Sequence, residues 1–370
     1  MVEVIVIGAG PVGLLMAAEL HRLGVRAEVL EQRGQASPGS RAIGLHTPVL
    51  EALEPSGLTA ELLEDGLRVH RGEARSRGRV LGTVRFDRLP VRFPFVATLP
   101  QAATEEVFSR ASPLPQRGVE VTAVHPADGE VRLRTDAGIR RAPLVVLAGG
   151  ARSRALVYRR PAAHAYPDRY LMADAQVGER EDSGTAVVHL DESGVLESFP
   201  LPAQRRRFVV WDPPGASADP EQQRIRIEHA LAARGESVEV RATGFGVRRF
   251  LAPRMRNRRL FVIGDAAHEV SPIGGQGMNL GLLDAARLAP LLAEWLRSGA
   301  APEAKLQHWE SSRLRSARRA AALSTVNTRL GRPLPTPLNL ARAGGLRLML
   351  GPGTGRVFAR AYAMGFDLNA

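Results

Sequence analysis

A glycine motif near the start of the chain is the feature that most constrains its fold. The apolar run Val2–Ile7 is short and β-branched, which is typical of a buried parallel strand. Gly8-Ala9-Gly10-Pro11-Val12-Gly13 follows at once, and residues 14–23 have the apolar spacing of a helix. A second apolar run, Ala27–Leu30, ends in Glu31. This order of strand, glycine turn, helix, strand and acid predicts a dinucleotide-binding unit.

Each residue type in the motif has a physical reason. Gly8 permits the tight turn, Gly10 lets the backbone approach a pyrophosphate, and Gly13 lets the helix pack closely on the strand. The helix N-terminus offers unpaired N–H groups and a partial positive charge to the phosphates. Glu31 is placed about where an acid accepts hydrogen bonds from ribose hydroxyls. The motif alone does not separate NAD from FAD.

Composition narrows the class of protein. At 370 residues the chain is long enough for two domains, and no apolar run is long enough to span a bilayer. Met1 leads almost directly into a strand, so no signal peptide is visible and we expect a cytoplasmic location. The absence of cysteine excludes disulfides, thiolate metal sites and thiol nucleophiles, and with them the flavin disulfide reductases.

The formal charge of +12 comes almost entirely from arginine, since Lys305 is the only lysine. A basic balance can indicate nucleic-acid binding. Here the arginines are scattered, with one denser zone from Arg313 to Arg347, and no nucleic-acid motif accompanies them. We therefore expect solvated helix faces and no nucleic-acid partner or stable membrane insertion, while a weak contact with a membrane surface stays open.

Further along the chain, two more apolar strands end in glycine motifs. Leu144–Ala148 leads into Gly149-Gly150, and Leu260–Ile263 leads into Gly264-Asp265. Between them, alternating runs after residue 161 predict an antiparallel sheet, and the end of the chain has helical patterns. We expect an α/β fold with a discontinuous Rossmann-like domain (1–70, 98–160 and 253–325), an antiparallel-sheet substrate domain (71–97 and 161–252) and C-terminal helices (326–370).

The segment after the third strand carries a resemblance to a known family. Residues 261–288, FVIGDAAHEVSPIGGQGMNLGLLDAARL, resemble the GD segment of the FAD-dependent class A monooxygenases, the para-hydroxybenzoate hydroxylase-like family. The opening GAGPVG with Glu31-Gln32-Arg33, and Pro100-Gln101 followed by Glu105, are similar to other segments of that family. A short acid after a buried strand can bond the ribitol hydroxyls of FAD, and a helix that begins near Gly277 has a partial positive charge at its start. The resemblance implies that this helix end lies beside the flavin, where negative charge appears on reduction.

The resemblance implies a cofactor, a reaction and a set of residues. FAD is reduced by NAD(P)H and takes up O2 as a C4a-hydroperoxide, which hydroxylates or epoxidises an electron-rich aromatic or polyketide-type substrate, as in antibiotic biosynthesis. Pro272 would lie beside the site of oxygen transfer, and the substrate would lie under the antiparallel sheet. The residues expected to bind FAD are Gly8, Gly10, Pro11, Gly13, Glu31, Gln32, Arg33, Arg41, Gln101, Gly264, Asp265, Pro272, Gly275, Gly277, Met278 and Asn279.

One departure from the family keeps a second function open. The family pattern D-G-x-x-S-x-x-R aligns with residues 149–156, but Gly149 replaces the acid and Leu156 stands where the arginine belongs. Arg154 or Arg159 is a candidate substitute. The departure puts ordinary NAD(P)H reduction in doubt and leaves room for an external flavin reductase. It also supports an alternative, a cyclase or isomerase in which FAD is structural. A halogenase and a plain NAD-dependent dehydrogenase are disfavoured.

Substrate-side residues are the least constrained by the sequence. The alternating strands carry several side chains that are candidates to line a pocket, with core packing as the competing interpretation: Met172, His189, Phe199 and Trp211. A general base for a phenol needs hydrogen-bond reach and a tuned pKa. His189 and His268 are candidates for that base.

Overall fold

Two large sheets and the helices packed on them make up the part of the chain that the computed structural model describes, which comprises residues 2–36, 42–159, 161, 163–351 and 354–364. In chain order the strands are β1 (Val4–Ile7), β2 (Ala27–Glu31), β3 (Gly44–Leu45), β4 (Leu67–Val69), β5 (Arg71–Ser76), β6 (Arg79–Arg85), β7 (Val96–Thr98), β8 (Gln116–Arg117), β9 (Val121–Pro126), β10 (Val131–Thr135), β11 (Gly138–Ala142), β12 (Leu144–Leu147), β13 (His164–Gln176), β14 (Thr185–Asp191), β15 (Gly194–Leu201), β16 (Arg205–Asp212), β17 (Thr243–Leu251), β18 (Arg256–Asn257), β19 (Leu260–Val262) and β20 (His268–Glu269). The helices are α1 (Pro11–Arg22), α2 (Thr47–Leu53), α3 (Leu58–Asp65), α4 (Gln101–Ala111), α5 (Gly150–Ser153), α6 (Pro220–Ala232), α7 (Gly277–Ser298), α8 (Glu303–Leu330), α9 (Thr336–Met349) and α10 (Gly355–Tyr362).

The first sheet, hereafter the N-terminal sheet, has the strand order β18-β19-β12-β1-β2-β8. β1 pairs in parallel with β2 and β12, and β12 pairs in parallel with β19. Its central strands are buried on both faces, which explains why their sequences are continuous apolar runs. Because parallel strands end at the same edge, the turns that follow β1, β12 and β19 lie together there.

The second sheet, hereafter the large sheet, has the order β20-β17-β13-β16-β15-β14-β5-β6. Its pairs are antiparallel apart from β14 and β5. Alternating side chains cover the two faces differently. One face packs under α6 through Leu171, Phe208 and Ile227, and the other faces a cavity. The predicted fold class, an α/β Rossmann-like unit with an antiparallel-sheet region and C-terminal helices, is confirmed.

One local segment departs from its sequence pattern. The apolar spacing of residues 47–58 is typical of a single helix. The structure has instead α2, a 3-10 turn at 54–56 and α3, because Pro55 lacks the N–H that a continuous helix needs and Gly57 is left-handed at φ +80°. α10 lies within residues 326–370, where C-terminal helices were expected. It gains its stability from tertiary contacts, among them the hydrogen bond that Tyr362 donates to Asn327 at 2.8 Å.

Within the described ranges, none of the helices combines the length and the apolar character that crossing a membrane requires.

Candidate FAD and substrate site

A cavity of about 1490 Å³ lies between the carboxyl edge of the N-terminal sheet and the open face of the large sheet. Pockets for drug-sized ligands are typically about 300–1,000 Å³, so this one has room for a dinucleotide and a second molecule. The turns after β1 and β19 line one end, through Gly10 and Asp265 among others. Strands β13–β17 and helices α8–α10 line the other end.

The three glycines of the first turn have different structural reasons. Gly8 has φ +107°, and a Cβ there would lie 2.7 Å from the carbonyl oxygen of Ala148. A Cβ on Gly13 would lie 1.9 Å from the carbonyl oxygen of Gly8. A Cβ on Gly10 would meet nothing within 4 Å, and Gly10 lines the cavity with Pro11. Gly8 and Gly13 therefore serve close packing, while Gly10 leaves room for a ligand beside the N-terminus of α1.

Glu31 is fixed at the end of β2 by the backbone around it. Its Oε2 accepts a hydrogen bond from the N–H of Ala9 at 2.8 Å, and its Oε1 accepts from Arg33 N at 3.0 Å and Arg33 Nε at 2.9 Å. Burial alone would raise the pKa of Glu31, but these hydrogen bonds outweigh it and lower the pKa below its ordinary value. The charged carboxylate lines the cavity with Gln32 and Arg33, while Arg41 lies outside the described residues.

The start of α4 also reaches the cavity. Gln101 lines it and donates from Nε2 to Glu105 Oε1 at 2.6 Å. Burial raises the pKa of Glu105, which the Gln101 hydrogen bond partly offsets. Glu105 thus fixes the orientation of the Gln101 side-chain amide at the edge of the cavity.

The turn after β19 presents Asp265 to the cavity. Gly264 has φ +64°, and a Cβ on Gly281 of α7 would lie 2.6 Å from Val12, so α7 and α1 pack closely around this turn. Asp265 is exposed and lines the cavity. An exposed carboxylate at this edge can accept hydrogen bonds from the hydroxyls of a bound cofactor.

Beneath this turn lies a buried ionic cluster that the sequence did not predict. His268 Nε2 lies 2.5 Å from Asp284 Oδ2, and Arg313 Nε donates to Asp284 Oδ1 at 2.9 Å, with all three side chains fully buried. The same Asp284 carboxylate accepts from the N–H of Gly264 at 3.1 Å. His268 is therefore not available as a base for a substrate, and the cluster fixes the turn against α7 and α8.

The loop and first turn of α7 face the cavity through Pro272, Gly275, Gly277 and Met278. Asn279 does not line it, contrary to its place among the expected FAD residues. Its Oδ1 accepts from the N–H of His46 at 2.8 Å, and its Nδ2 donates to the carbonyls of Gly44 at 2.8 Å and Gly275 at 3.2 Å. Asn279 is thus a positioning residue that ties α7 to the segment before α2.

His46 is a cavity residue that sequence reasoning missed. It lines the cavity, and burial lowers its pKa to about 4, so the imidazole is neutral near pH 7. A Cβ on Gly275 would lie 3.7 Å from His46 Nε2, which places the imidazole beside the loop before α7.

Of the four substrate-side candidates on the large sheet, two line the cavity and two do not. Met172 and Phe199 line the cavity, whereas Trp211 does not and donates from Nε1 to Asp168 at 3.3 Å. His189 also lies outside the cavity lining, because its neighbours Val188 and Leu190 face the cavity and adjacent side chains of a strand alternate. We therefore do not retain His189 as a catalytic candidate.

The departure from the family pattern has a structural counterpart. A Cβ on Gly149 would lie 2.8 Å from Ser153 Cβ, so an acid fits there only if Ser153 moves. Arg154 is buried, donates from Nη2 to the carbonyl of Asp265 at 2.9 Å and to Glu269 Oε2 at 2.7 Å, and stacks on Phe250 at 4.3 Å. Arg159 is exposed. Of the two candidate substitutes, Arg154 is the one tied to the Gly264-Asp265 turn.

These residues fit FAD. The open space at Gly10, the carboxylates of Glu31 and Asp265, and the glycine loop before α7 share one cavity at the carboxyl edge of a parallel sheet. Diphosphate binding at a helix N-terminus and hydroxyl binding by acids after two strands are the requirements of an extended dinucleotide. This fold and this site define a flavin-binding protein.

The chain belongs to the FAD-binding domain family, whose model matches residues 1–324, and the resemblance to the class A FAD-dependent monooxygenases is confirmed. It is 34% identical over 366 residues to a 6-methylpretetramide 4-monooxygenase of Streptomyces rimosus, covering 92% of this chain and 65% of that protein. It is 29% identical over 369 residues to a dialkyldecalin synthase of Streptomyces rugosporus, covering 94% and 75%. The chain thus spans about two thirds of the length of the first relative.

Solved structures agree on the fold. The crystal structure of a p-nitrophenol 4-monooxygenase from Pseudomonas putida matches with a TM-score of 0.88 and 23% identity, covering 100% of this chain and 98% of that one. The predicted cofactor, FAD, is confirmed by the family.

Proposed function

We propose that this protein is a monooxygenase that inserts one oxygen atom of O2 into an electron-rich aromatic or polyketide-type substrate, by hydroxylation or epoxidation. The observation that carries the proposal is the single cavity, which is lined at one end by the FAD residues and at the other by an apolar sheet face. The names of relatives such as the 6-methylpretetramide 4-monooxygenase support the same reaction class. When bound, FAD supplies electron transfer and the activation of dioxygen.

The chain's own residues have three tasks in this proposal. Gly10, Glu31 and Asp265 would hold FAD, and the backbone of Pro272 and Gly275 lines the same cavity, where it would border the flavin ring. Met172, Phe199 and their apolar neighbours on the large sheet hold a flat ring and exclude water from it. Exclusion of water protects a reactive oxygen species from loss before transfer. The contribution of these residues to catalysis is to position the substrate and the flavin against each other.

The test is turnover of the FAD-loaded protein with NADPH or NADH, using a panel of phenols and polycyclic phenols under isotopically labelled O2. We expect product that carries one labelled oxygen atom, measured by mass spectrometry. Asp265→Ala should lose FAD and turnover together, whereas Glu106→Ala, at an exposed position of α4, should keep both. Product oxygen that comes from water would contradict the proposal.

A second candidate, a cyclase or isomerase with structural FAD, is favoured by two observations. Gly149 supplies no carboxylate in the segment that the family associates with reduction, and the chain resembles a dialkyldecalin synthase. This candidate predicts product formation without O2 and without a reductant. Anaerobic turnover of a polyene substrate would therefore favour it over the monooxygenase.

A further inference from the structure

A carboxylic acid lies in the middle of the apolar floor of the cavity. Strand register places Met172, Val209, Glu197, Val188 and Ala74 side by side across β13, β16, β15, β14 and β5. All five line the cavity, and the four neighbours of Glu197 in this row are apolar. Glu197 is 5% exposed. An ionisable group therefore occupies a position where packing alone calls for an aliphatic side chain.

Two other charged side chains among the lining residues already have partners. Arg207 donates from Nε and Nη2 to the two carboxylate oxygens of Asp174 at 2.6 and 2.7 Å. Glu73 accepts from Nε and Nη2 of Arg75 at 3.0 and 2.7 Å. By contrast, no residue in the described ranges donates a hydrogen bond to Glu197 or pairs with its charge, and burial raises its pKa to about 8. The carboxyl borders the cavity among apolar side chains, so a hydroxyl-bearing ligand there would supply a hydrogen bond that these neighbours do not.

The groups that face Glu197 leave its carboxyl free for a ligand. Tyr170 on β13 and Tyr362 on α10 both interact electrostatically with it. The hydroxyl of Tyr362 is already donated to Asn327. Burial raises the pKa of both tyrosines, that of Tyr362 to about 12, so neither changes charge near pH 8.

We propose, on the basis of the function proposed above, that Glu197 is the substrate-binding group of the cavity floor, which accepts a hydrogen bond from a phenol or enol hydroxyl and takes its proton. The O–H bond of the substrate breaks, an O–H bond forms on a Glu197 oxygen, and the electron pair stays on the substrate oxygen. An oxygen anion enriches an aromatic ring toward attack by an electrophilic oxygen. The substrate class is therefore a hydroxyl-bearing aromatic or enol whose hydroxyl meets the sheet.

The test compares 2-naphthol with 2-methoxynaphthalene, which has the same ring but no hydroxyl proton. Equilibrium dialysis against the FAD-loaded protein gives the dissociation constant of each. We expect the wild type to bind the naphthol about tenfold more tightly, the size of one hydrogen bond to a charged group. Its affinity for the naphthol should rise from about pH 6 to about pH 9, because the ionised acid is the better acceptor while a phenol of pKa near 10 stays neutral.

Two substitutions separate the hydrogen bond to Glu197 from the effect of its negative charge. Glu197→Met removes the acceptor and should abolish the preference for the naphthol. Glu197→Gln keeps a neutral acceptor of the same shape and should retain part of the preference but lose its rise with pH. Glu73→Gln is the matched control, since its carboxylate is already bonded to Arg75, and it should leave both effects unchanged. FAD content verifies that each variant is folded.

The outcomes are decisive and separable from the proposed reaction. Equal wild-type affinity for the two naphthalenes, no measurable binding of the naphthol, or an unchanged preference in Glu197→Met would overturn the assignment. If labelled O2 enters phenols while Glu197→Met retains the preference, the monooxygenase stands and this role for Glu197 fails. If the naphthol binds in a Glu197-dependent manner and O2 never enters product, the monooxygenase fails and the binding site stands.

Discussion

At the residue scale, two glycines of the first turn have different roles. Gly13 is required by the backbone of Gly8, whereas Gly10 borders only open space. The spacing of the motif predicts the turn but does not distinguish these roles. Glu197 and His46 were not predicted from the sequence. Alternation along β15 puts Glu197 and Phe199 on the same face of the sheet. The sequence does not show that a cavity lies over that face, which the structure does.

Alanine at Gly10 should weaken FAD binding, whereas alanine at Gly13 should lower the stability of the protein. Gly10 has φ −82°, which alanine adopts freely, so Gly10→Ala should fold as well as the wild type but bind FAD at least about tenfold more weakly. Gly13→Ala should lower the free energy of unfolding by about 3 kcal/mol or more, because its Cβ would overlap the Gly8 carbonyl. Thermal unfolding and FAD titration measure the two effects. Equal loss of stability in both variants would contradict this division of roles.

At the scale of elements, several strands and helices of the FAD region were predictable from the sequence: β1, β2, β12, β19, α1 and α7. The strands are continuous apolar runs, three of them followed by glycine motifs, and the helices have apolar residues at helical spacing. The cluster of His268, Asp284 and Arg313 was not, since it joins a turn to residues on two different helices. The break between α2 and α3 was readable in principle from Pro55.

The buried cluster predicts how stability depends on pH. Burial alone would lower the pKa of His268, but Asp284 raises it above its unfolded value of 6.5. The contribution of the charged pair is therefore fully present below about pH 6.5 and is lost as pH rises through the higher folded pKa. The pKa of Asp284 is lowered despite its burial. Its contribution to the free energy of unfolding is therefore fully present above pH 3.8 and is lost as pH falls through the folded pKa.

Urea unfolding at a series of pH values checks this prediction. The wild type should lose stability toward alkaline pH, and His268→Gln should lack that loss. Asp284→Asn should lower the free energy of unfolding by about 3–5 kcal/mol, because it leaves Arg313 buried without its counter-charge. A wild-type stability that does not change above neutral pH would show that the histidine is uncharged in the folded protein.

At the scale of the whole molecule, three separated glycine motifs predicted a shared sheet edge, since parallel strands end together. The sequence did not show that α8, α9 and α10 line the cavity opposite the large sheet. The apolar spacing of a helix indicates that one side is buried but not which element it packs against. The division into a discontinuous FAD domain and a substrate domain is a proposal that limited proteolysis of the holoprotein can test.

Reduction by nicotinamide should be slow in the free protein. Gly149 provides no carboxylate, and the Arg154 guanidinium already bonds Asp265 and Glu269, so neither position supplies a free charged group to hold a nicotinamide against the flavin. We expect either that bound substrate accelerates reduction of the flavin by NAD(P)H or that an external flavin reductase supplies the electrons. Anaerobic stopped-flow of the flavin absorbance with NADPH and NADH measures this. Fast bleaching without substrate would show that the missing acid is dispensable.

The central claim is that one cavity holds FAD and substrate in contact. The most direct measurement is the flavin difference spectrum during titration of the FAD-loaded protein with 2-naphthol. We expect a saturable perturbation of the flavin band that follows binding by dialysis. Val209→Trp, which fills the cavity floor, should abolish both while FAD content is unchanged. Naphthol binding that leaves the flavin spectrum unaltered, or that persists in Val209→Trp, would contradict the account.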